Sequence, residues 1–414
     1  MKKILFFVFI VTNILNAQHL NLDECIHKAL RTHPDIQKYS IEVKITRSEV
    51  DVAKADYLPQ ITMNVEYDPI HTYTYTSNGV FNTKDSEGLY IGGVINQKIW
   101  DFSKTTSNIL AKELKEDMST FNLADAKALL AYKVKLQYEL MLVQKVAIDV
   151  REKDLKAKEA LYNQAEAFVK NGMKTTADAS RFLASVFIAK EDLAISRASY
   201  EKAKTLLSLY INEPISNEVT QDNTLETNIQ ILPQEQTILN ASPLLSSVKK
   251  SIEQNKLNYK ASKASHYGSI DATASYTNQN TLNEYNTYVI GIKYQLPLYS
   301  GGRTSALVEQ SRLNTQNLQA TLNSQKLALK EEFNNLLIDI DRCKKTIEAK
   351  KSQLIASKQT QTLLEARYKE GLATYIEILD ASALKVNAEL GLLQAIYEKS
   401  SAIHRIEYLQ GKSI

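Results

Sequence analysis

Gly172-Met173-Lys174-Thr175-Thr176-Ala177-Asp178 returns far downstream as Gly371-Leu372-Ala373-Thr374-Tyr375-Ile376-Glu377: a glycine, a Thr three places on, and an acid three places after that. Glycine accepts the positive φ that ends a helix, and Thr-x-x-Asp or Thr-x-x-Glu is a capping box that begins one. Each heptapeptide therefore reads as a tight turn between two helices. All 7 prolines fall at positions 34, 59, 69, 214, 233, 243 and 297, so the stretch from Phe102 to Glu213 and the one from Leu298 onward contain none. With no helix breaker inside them, both are predicted to be helical hairpins folded at one glycine. The arm from Ser103 to Val169 would extend roughly 100 Å at 1.5 Å per residue. A soluble globular domain rarely holds such a rod.

After Gly371, the residues Ile376, Leu379, Ala383, Val386, Leu390, Leu393 and Tyr397 recur at alternating spacings of three and four. This is a coiled-coil seam, and it predicts that the helix lies against neighbours in a bundle or a barrel of helices.

Between the helical parts the period drops to two. Ile61, Met63, Val65 and Tyr67 alternate with Thr62, Asn64, Glu66 and Asp68, and Tyr288, Ile290, Ile292, Tyr294 and Leu296 alternate with Thr287, Val289, Gly291, Lys293 and Gln295. Two-faced strands have this pattern. Weaker partners run from Leu89 to Trp100 and from Ile270 to Thr277, joined to the clear strands by polar loops at Thr72 to Glu87 and Asn278 to Asn286. Four strands in two hairpins result.

The halves superimpose. His33-Pro34-Asp35 meets Ser242-Pro243-Leu244, Ile61 to Tyr67 meets Ile270 to Tyr276, and the two glycine turns meet at a slightly smaller offset. The chain reads as a tandem duplication of helix, strand, strand, long helix, turn, helix. Its parts are residues 1–17 as a leader, 18–212 as the first repeat, 213–235 as a linker or equatorial segment and 236–414 as the second repeat. The first helix is expected over about Asn21 to Asp56 and the post-turn helix over about Thr175 to Tyr210.

The leader reading rests on Lys2 and Lys3 ahead of an apolar run from Ile4 to Ile14, with Ala17 before a cut at Gln18. No cysteine follows that run closely enough for lipid anchoring, Cys25 lying too far on. Export is expected. The best later candidate for a membrane helix, Ala128 to Val150, carries Lys133, Lys135, Glu139 and Lys145, so any crossing must be made by strands. Four strands have two open edges and cannot close around a pore, whereas outer-membrane barrels need about eight. Several copies are required. Three would give twelve strands, and two or four satisfy the same argument.

A net charge of +3 from 50 basic and 47 acidic residues, interspersed in sign, does not imply nucleic acid. Six scattered histidines without ligand spacing give no metal site, and neither a catalytic triad nor a phosphate loop can be read, so no cofactor is expected. Cys25 and Cys343 read as small core residues. Tyr67, Tyr90, Trp100, Tyr276, Tyr294 and Tyr299, near strand ends, suit an interfacial aromatic belt.

One further set of residues carries a likeness: Leu22-Asp23-Glu24-Cys25-Ile26 with Ala29-Leu30 and His33-Pro34, then Tyr57-Leu58-Pro59, Pro297-Leu298-Tyr299-Ser300-Gly301-Gly302, and Tyr368-Lys369-Glu370-Gly371 followed by Ile378-Leu379-Asp380-Ala381. Together these resemble the TolC family of outer-membrane efflux proteins, over nearly the whole mature chain and in both repeats. The resemblance implies a mixed α/β membrane protein: a homotrimer with a 12-stranded transmembrane β-barrel, four strands per protomer, continued by a long periplasmic α-helical barrel. It implies an outer-membrane exit duct with most of its mass in the periplasm, set in outer-membrane lipid and passing substrates from an inner-membrane transporter and a periplasmic adaptor (membrane fusion) protein to the outside. Gly172, Thr175, Gly371 and Thr374 would form the adaptor-docking tips. Glu377 and Asp380 match acids that narrow the family's tunnel, and Tyr368 with Asp178 match a latch of its closed state. The family's locking Arg is replaced here by Ala373. The alternative reading, a periplasmic coiled-coil scaffold or adaptor, leaves the strand pairs without a purpose.

Overall fold

The computed structural model describes residues 21–215, 232–280 and 284–413. The expected leader, most of the linker and the centre of the Asn278 to Asn286 loop lie outside the described residues. The elements are α1 Leu22–Thr32, α2 Pro34–Ala55, β1 Gln60–Ser77, β2 Val80–Trp100, α3 Lys104–Lys170 and α4 Thr176–Ile211, then α5 Glu235–Ala241, α6 Pro243–Ala264, β3 Ser269–Asn280, β4 Glu284–Gln295, α7 Arg303–Lys369 and α8 Tyr375–Leu409. The order of six repeats. α3 and α7 each run 67 residues, and α2 and α6 each run 22.

The single first helix expected over Asn21 to Asp56 is divided at His33-Pro34. Proline disfavours the helical region for the residue before it, and His33 sits at φ −67°, ψ 130°. The polar loop expected over Thr72 to Glu87 is also corrected: β1 and β2 continue to a two-residue turn at Asn78 and Gly79, whose φ values of 54° and 78° suit a type I′ hairpin.

The described residues form two compact units, each drawn from both halves of the sequence. In the one made of residues 38–123 and 242–328, the four strands form one antiparallel sheet in the order β1-β2-β3-β4. Its register sorts the side chains onto two faces. Ile61, Ile95, Ala274 and Ile290 lie in one row and Met63, Gly93, Tyr276 and Tyr288 in the next, while the opposite face carries Thr62, Val94, Ser275 and Val289 and then Asn64, Gly92, Thr277 and Thr287. One face is apolar and one largely polar. The apolar face is open: Ile61 and Met63 are 73% exposed and Ile290 is 89% exposed. Its apolar rows end at Tyr288 on β4 but at Tyr67 on β1, further along the register, the stagger a tilted barrel requires. Trp100, Ile270 and Tyr294 close the other end of this face.

Each strand is continued by a helix that packs in the same order. Glu49 of α2 accepts from Lys112 and Lys115 of α3 at 2.8 and 2.7 Å, Lys250 of α6 meets Asp117 of α3 at 3.0 Å, and Asn255 of α6 donates to Ser311 of α7. On α2, Ile41, Ile45 and Val52 remain exposed along a groove of about 740 Å³.

The other unit, residues 1–37, 124–241 and 329–414, is helical in its described part. Here the α8 seam differs from expectation. Of the expected seam Val386 is buried but Ile376 and Ala383 are exposed, and the apolar residues buried with Val386 are Ile378, Ala381, Ala388, Ala395, Ala402, Ile406 and Leu409. Four alanines at heptad spacing let helices approach closely, so the small side chains make the seam and the larger ones flank it. Across it α8 is pinned to α3 by charge. His404, 6% exposed, sits with Nε2 2.7 Å from Glu139 and Nδ1 2.9 Å from Glu407, and Glu407 takes Lys135 at 2.8 Å. Burial alone would lower the imidazole's proton affinity; hydrogen bonds to the two carboxylates overcome it and bring the pKa to about 9. Cys25 and Cys343 are buried free thiols, as core residues should be.

Candidate functional site

The two glycine turns belong to the helical unit and are built alike. Gly172 (φ 72°) donates to Val169 O and Met173 N donates to Phe168 O; Gly371 (φ 75°) donates to Tyr368 O and Leu372 N to Arg367 O. This pair of bonds is a Schellman motif, which leaves the last carbonyls of α3 and α7 satisfied. Thr175 and Thr374 then cap α4 and α8 with both arms of the capping box present.

Those boxes absorb the two acids at third position. Glu377 Oε2 accepts from the Thr374 backbone N–H at 2.7 Å and from its hydroxyl at 2.8 Å, and the backbone bond first, then the hydroxyl, holds the carboxyl below its usual range. Asp178 Oδ2 accepts from Thr175 N at 3.2 Å and from Oγ1 at 3.1 Å. The expected Tyr368–Asp178 hydrogen bond is not made. Tyr368 Oη is buried without a hydrogen-bond partner, because the carboxylate that would receive it satisfies the orphan donors of the α4 N-terminus instead. Burial, and then the nearby charge of Asp178, push the phenol up. Asp380, one turn beyond the box, is exposed on the same helix as Glu377.

Under the turns lies a small core of Leu161, Ala165, Phe182, Tyr368, Ala373 and Ile378. The Tyr368 ring packs against Phe182 at 5.7 Å and Phe168 at 5.8 Å, with Lys174 Nζ 5.7 Å from its centroid. Ala373 is 4% exposed, so an arginine there would have to enter an apolar cluster. Two residues that sequence reasoning passed over stand out at the tips: Met173 and Leu372, each just after its glycine, are 59% and 68% exposed. Their signal was the apolar residue at the second place past the helix end. The motif normally folds it back onto the helix, and here it points to solvent.

No helix among the described residues is long and apolar enough to cross a membrane, and no group of His, Cys, Asp or Glu is arranged to hold a metal. A two-faced sheet with an exposed apolar side, continued by helices into capped hairpins, is the architecture of a strand-built membrane channel. The family model described as outer membrane efflux protein matches residues 25–213 and 235–412. The chain belongs to the outer membrane efflux protein family. Among relatives in that family, Outer membrane protein TolC of Escherichia coli (strain K12) is 22% identical over 92% of this chain and 80% of its own length. Proteases secretion protein PrtF of Dickeya chrysanthemi is 21% identical over 99% and 92%. The open-state structure of the Neisseria gonorrhoeae MtrE outer membrane channel superposes with a TM-score of 0.81 at 20% identity, covering 95% of this chain and 89% of that one. As a TolC-like efflux protein the chain is an exit duct of the outer membrane with a large periplasmic portion.

Proposed function

We propose that three copies assemble into the working duct, and that an inner-membrane transporter and a periplasmic adaptor feed it at the helical turns. The observation that carries this reading is the sheet. Four strands with one apolar and one polar face leave β1 and β4 as open edges, and only pairing with further copies puts the apolar face in lipid and the polar face around water. Twelve strands suit three copies. The exposed stripe Ile41, Ile45 and Val52 on α2 is the helical counterpart of the open strand edge, awaiting the neighbouring copy. At the turns, Gly172, Thr175, Gly371 and Thr374 fix the backbone, and Met173 and Leu372 offer the apolar surface an adaptor would cover.

In this reading Glu377 and Asp380 ring the periplasmic entrance, where threefold symmetry brings like charges together and attracts cations. Tyr368 and Asp178 act as a latch only if Asp178 leaves its cap. The residues 1–17 are the export leader, 18–212 and 236–414 the two repeats. Planar-bilayer recording of Asp380→Asn and Glu377→Gln at matched ionic strength tests the entrance. Weakened cation selectivity with intact trimers supports it; selectivity identical to wild type rejects it.

A further inference from the structure

The β1–β2 hairpin contains a register change with a functional consequence. Asp68 pairs with Gly88, but the next pair along the ladder is His71 with Ser86, so Pro69 and Ile70 together oppose Glu87. Two residues against one is a β-bulge, and it reverses which residues of β1 share the polar face. Below it the even-numbered residues Thr62, Asn64 and Glu66 lie on that face; above it His71, Tyr73 and Tyr75 do. Contacts agree with this assignment. Tyr73 Oη lies 3.1 Å from Tyr90 Oη, the His71 and Tyr73 rings are 4.5 Å apart, and His71 meets Asp68 at 3.3 Å. Tyr90 pairs with Glu66 and with Gln279, and Gln279 with Tyr285, so these are neighbours on the polar face and Tyr90 does not join the lipid-facing belt expected of it. Gly88 makes room for the pair: a Cβ there would meet Tyr73 Oη at 3.0 Å and Tyr90 Cε2 at 3.1 Å.

We propose that the bulge at Pro69 and Ile70 turns Tyr73 onto Tyr90 inside the duct, forming an aromatic collar at its extracellular mouth that binds organic cations as they leave. The proposal rests on the duct reading, since the polar face must surround the lumen. The end is extracellular because the helices, and with them the periplasmic portion, lie at the opposite end of every strand. Three copies would present six paired phenol rings. Ring faces attract cations, and the charged groups on this face nearby, Glu66 and Asp68 against Lys84 with His71 held by Asp68, leave acids in excess. Without the bulge, Tyr73 and Tyr75 would continue the lipid-facing series of Ile61 to Tyr67.

The full-length protein is reconstituted in planar bilayers and tetrabutylammonium is added on the hairpin side. Block of wild-type current is expected, with Tyr73→Ala and Tyr90→Ala each raising conductance and weakening block about two- to five-fold, the fold-change of losing an exposed cation–π contact. Tyr73→Phe keeps the ring and retains block. Phe81→Ala, on the opposite face of the hairpin, changes neither quantity. Heat-modifiable migration of each variant checks that it has assembled. Channels whose conductance and block ignore Tyr73 and Tyr90 overturn the collar alone, whereas a wild type that forms no channel overturns the duct and the collar together.

Discussion

Replacing His404 should reveal how much of the helical unit's stability hangs on one buried proton. The imidazolium bridges Glu139 of α3 and Glu407 of α8 at 2.7 and 2.9 Å, and Glu139 Oε2 is already buried without a partner. Its pKa is about 9 in the folded chain against the ordinary imidazole value of 6.5. A folded value above the unfolded one means the stabilisation is fully present below pH 6.5 and is lost as pH rises through 9. At 1.36 kcal/mol per unit, that difference bounds the linkage at about 3 kcal/mol per protomer. His404→Gln removes the charge and leaves part-buried Glu139 without a cation while Glu407 keeps Lys135, which costs up to about 3 kcal/mol at neutral pH, the linkage bound. The assay is urea unfolding of detergent-solubilised protein, followed by tyrosine fluorescence from pH 6 to 10. Wild type should lose stability across this window, and the variant should start lower and lack that loss. Parallel pH curves for the two proteins would refute the reasoning, because a proton bound only in the folded state must appear as a difference in slope.

Other expectations follow from the turns. Tyr368→Phe deletes a buried hydroxyl that has no partner, so thermal stability should hold or rise slightly; a gain in single-channel conductance in the same variant would mean that the hydroxyl does reach Asp178 during gating. Gly172→Ala and Gly371→Ala meet no steric obstacle within 4 Å but force alanine to φ 72° and 75°, costing about 1–2 kcal/mol each, measurable as a lower midpoint in the same urea titration. If either variant were as stable as wild type, the left-handed turn would not persist in the assembled protein.

Long elements were legible because their signals are strong and local. Proline exclusion and single glycines marked α3 and α4 to within a residue or two and placed the fold between α7 and α8 at Gly371, and both capping boxes form as Thr175-x-x-Asp178 and Thr374-x-x-Glu377 predicted. What escaped depended on less obvious chemistry. Asn78-Gly79 is a strong hairpin signal, yet the Thr- and Tyr-rich run around it read as a polar loop. The three-and-four spacing in α8 placed Val386 in the seam correctly, but most of the buried positions are alanines, whose small side chains give a weak hydrophobic signal. The bulge could not be read from alternation alone, since Pro69 and Ile70 interrupt it without saying on which side it resumes. At the candidate site, residue types and spacing identified the caps, but whether Asp178 serves the cap or Tyr368 is a competition between two acceptor uses that only geometry decides.

The open strand edges also set the order in which this protein can come into being. A protomer that has formed its sheet but met no partner carries two rows of unsatisfied backbone groups and an oily face, and will join almost any strand offered to it. Its folded state is then a function of how many copies are nearby. On the proposed assembly of several copies, dilute synthesis would favour mispairing over function, and the sheet is safest completed where membrane and companions are within reach.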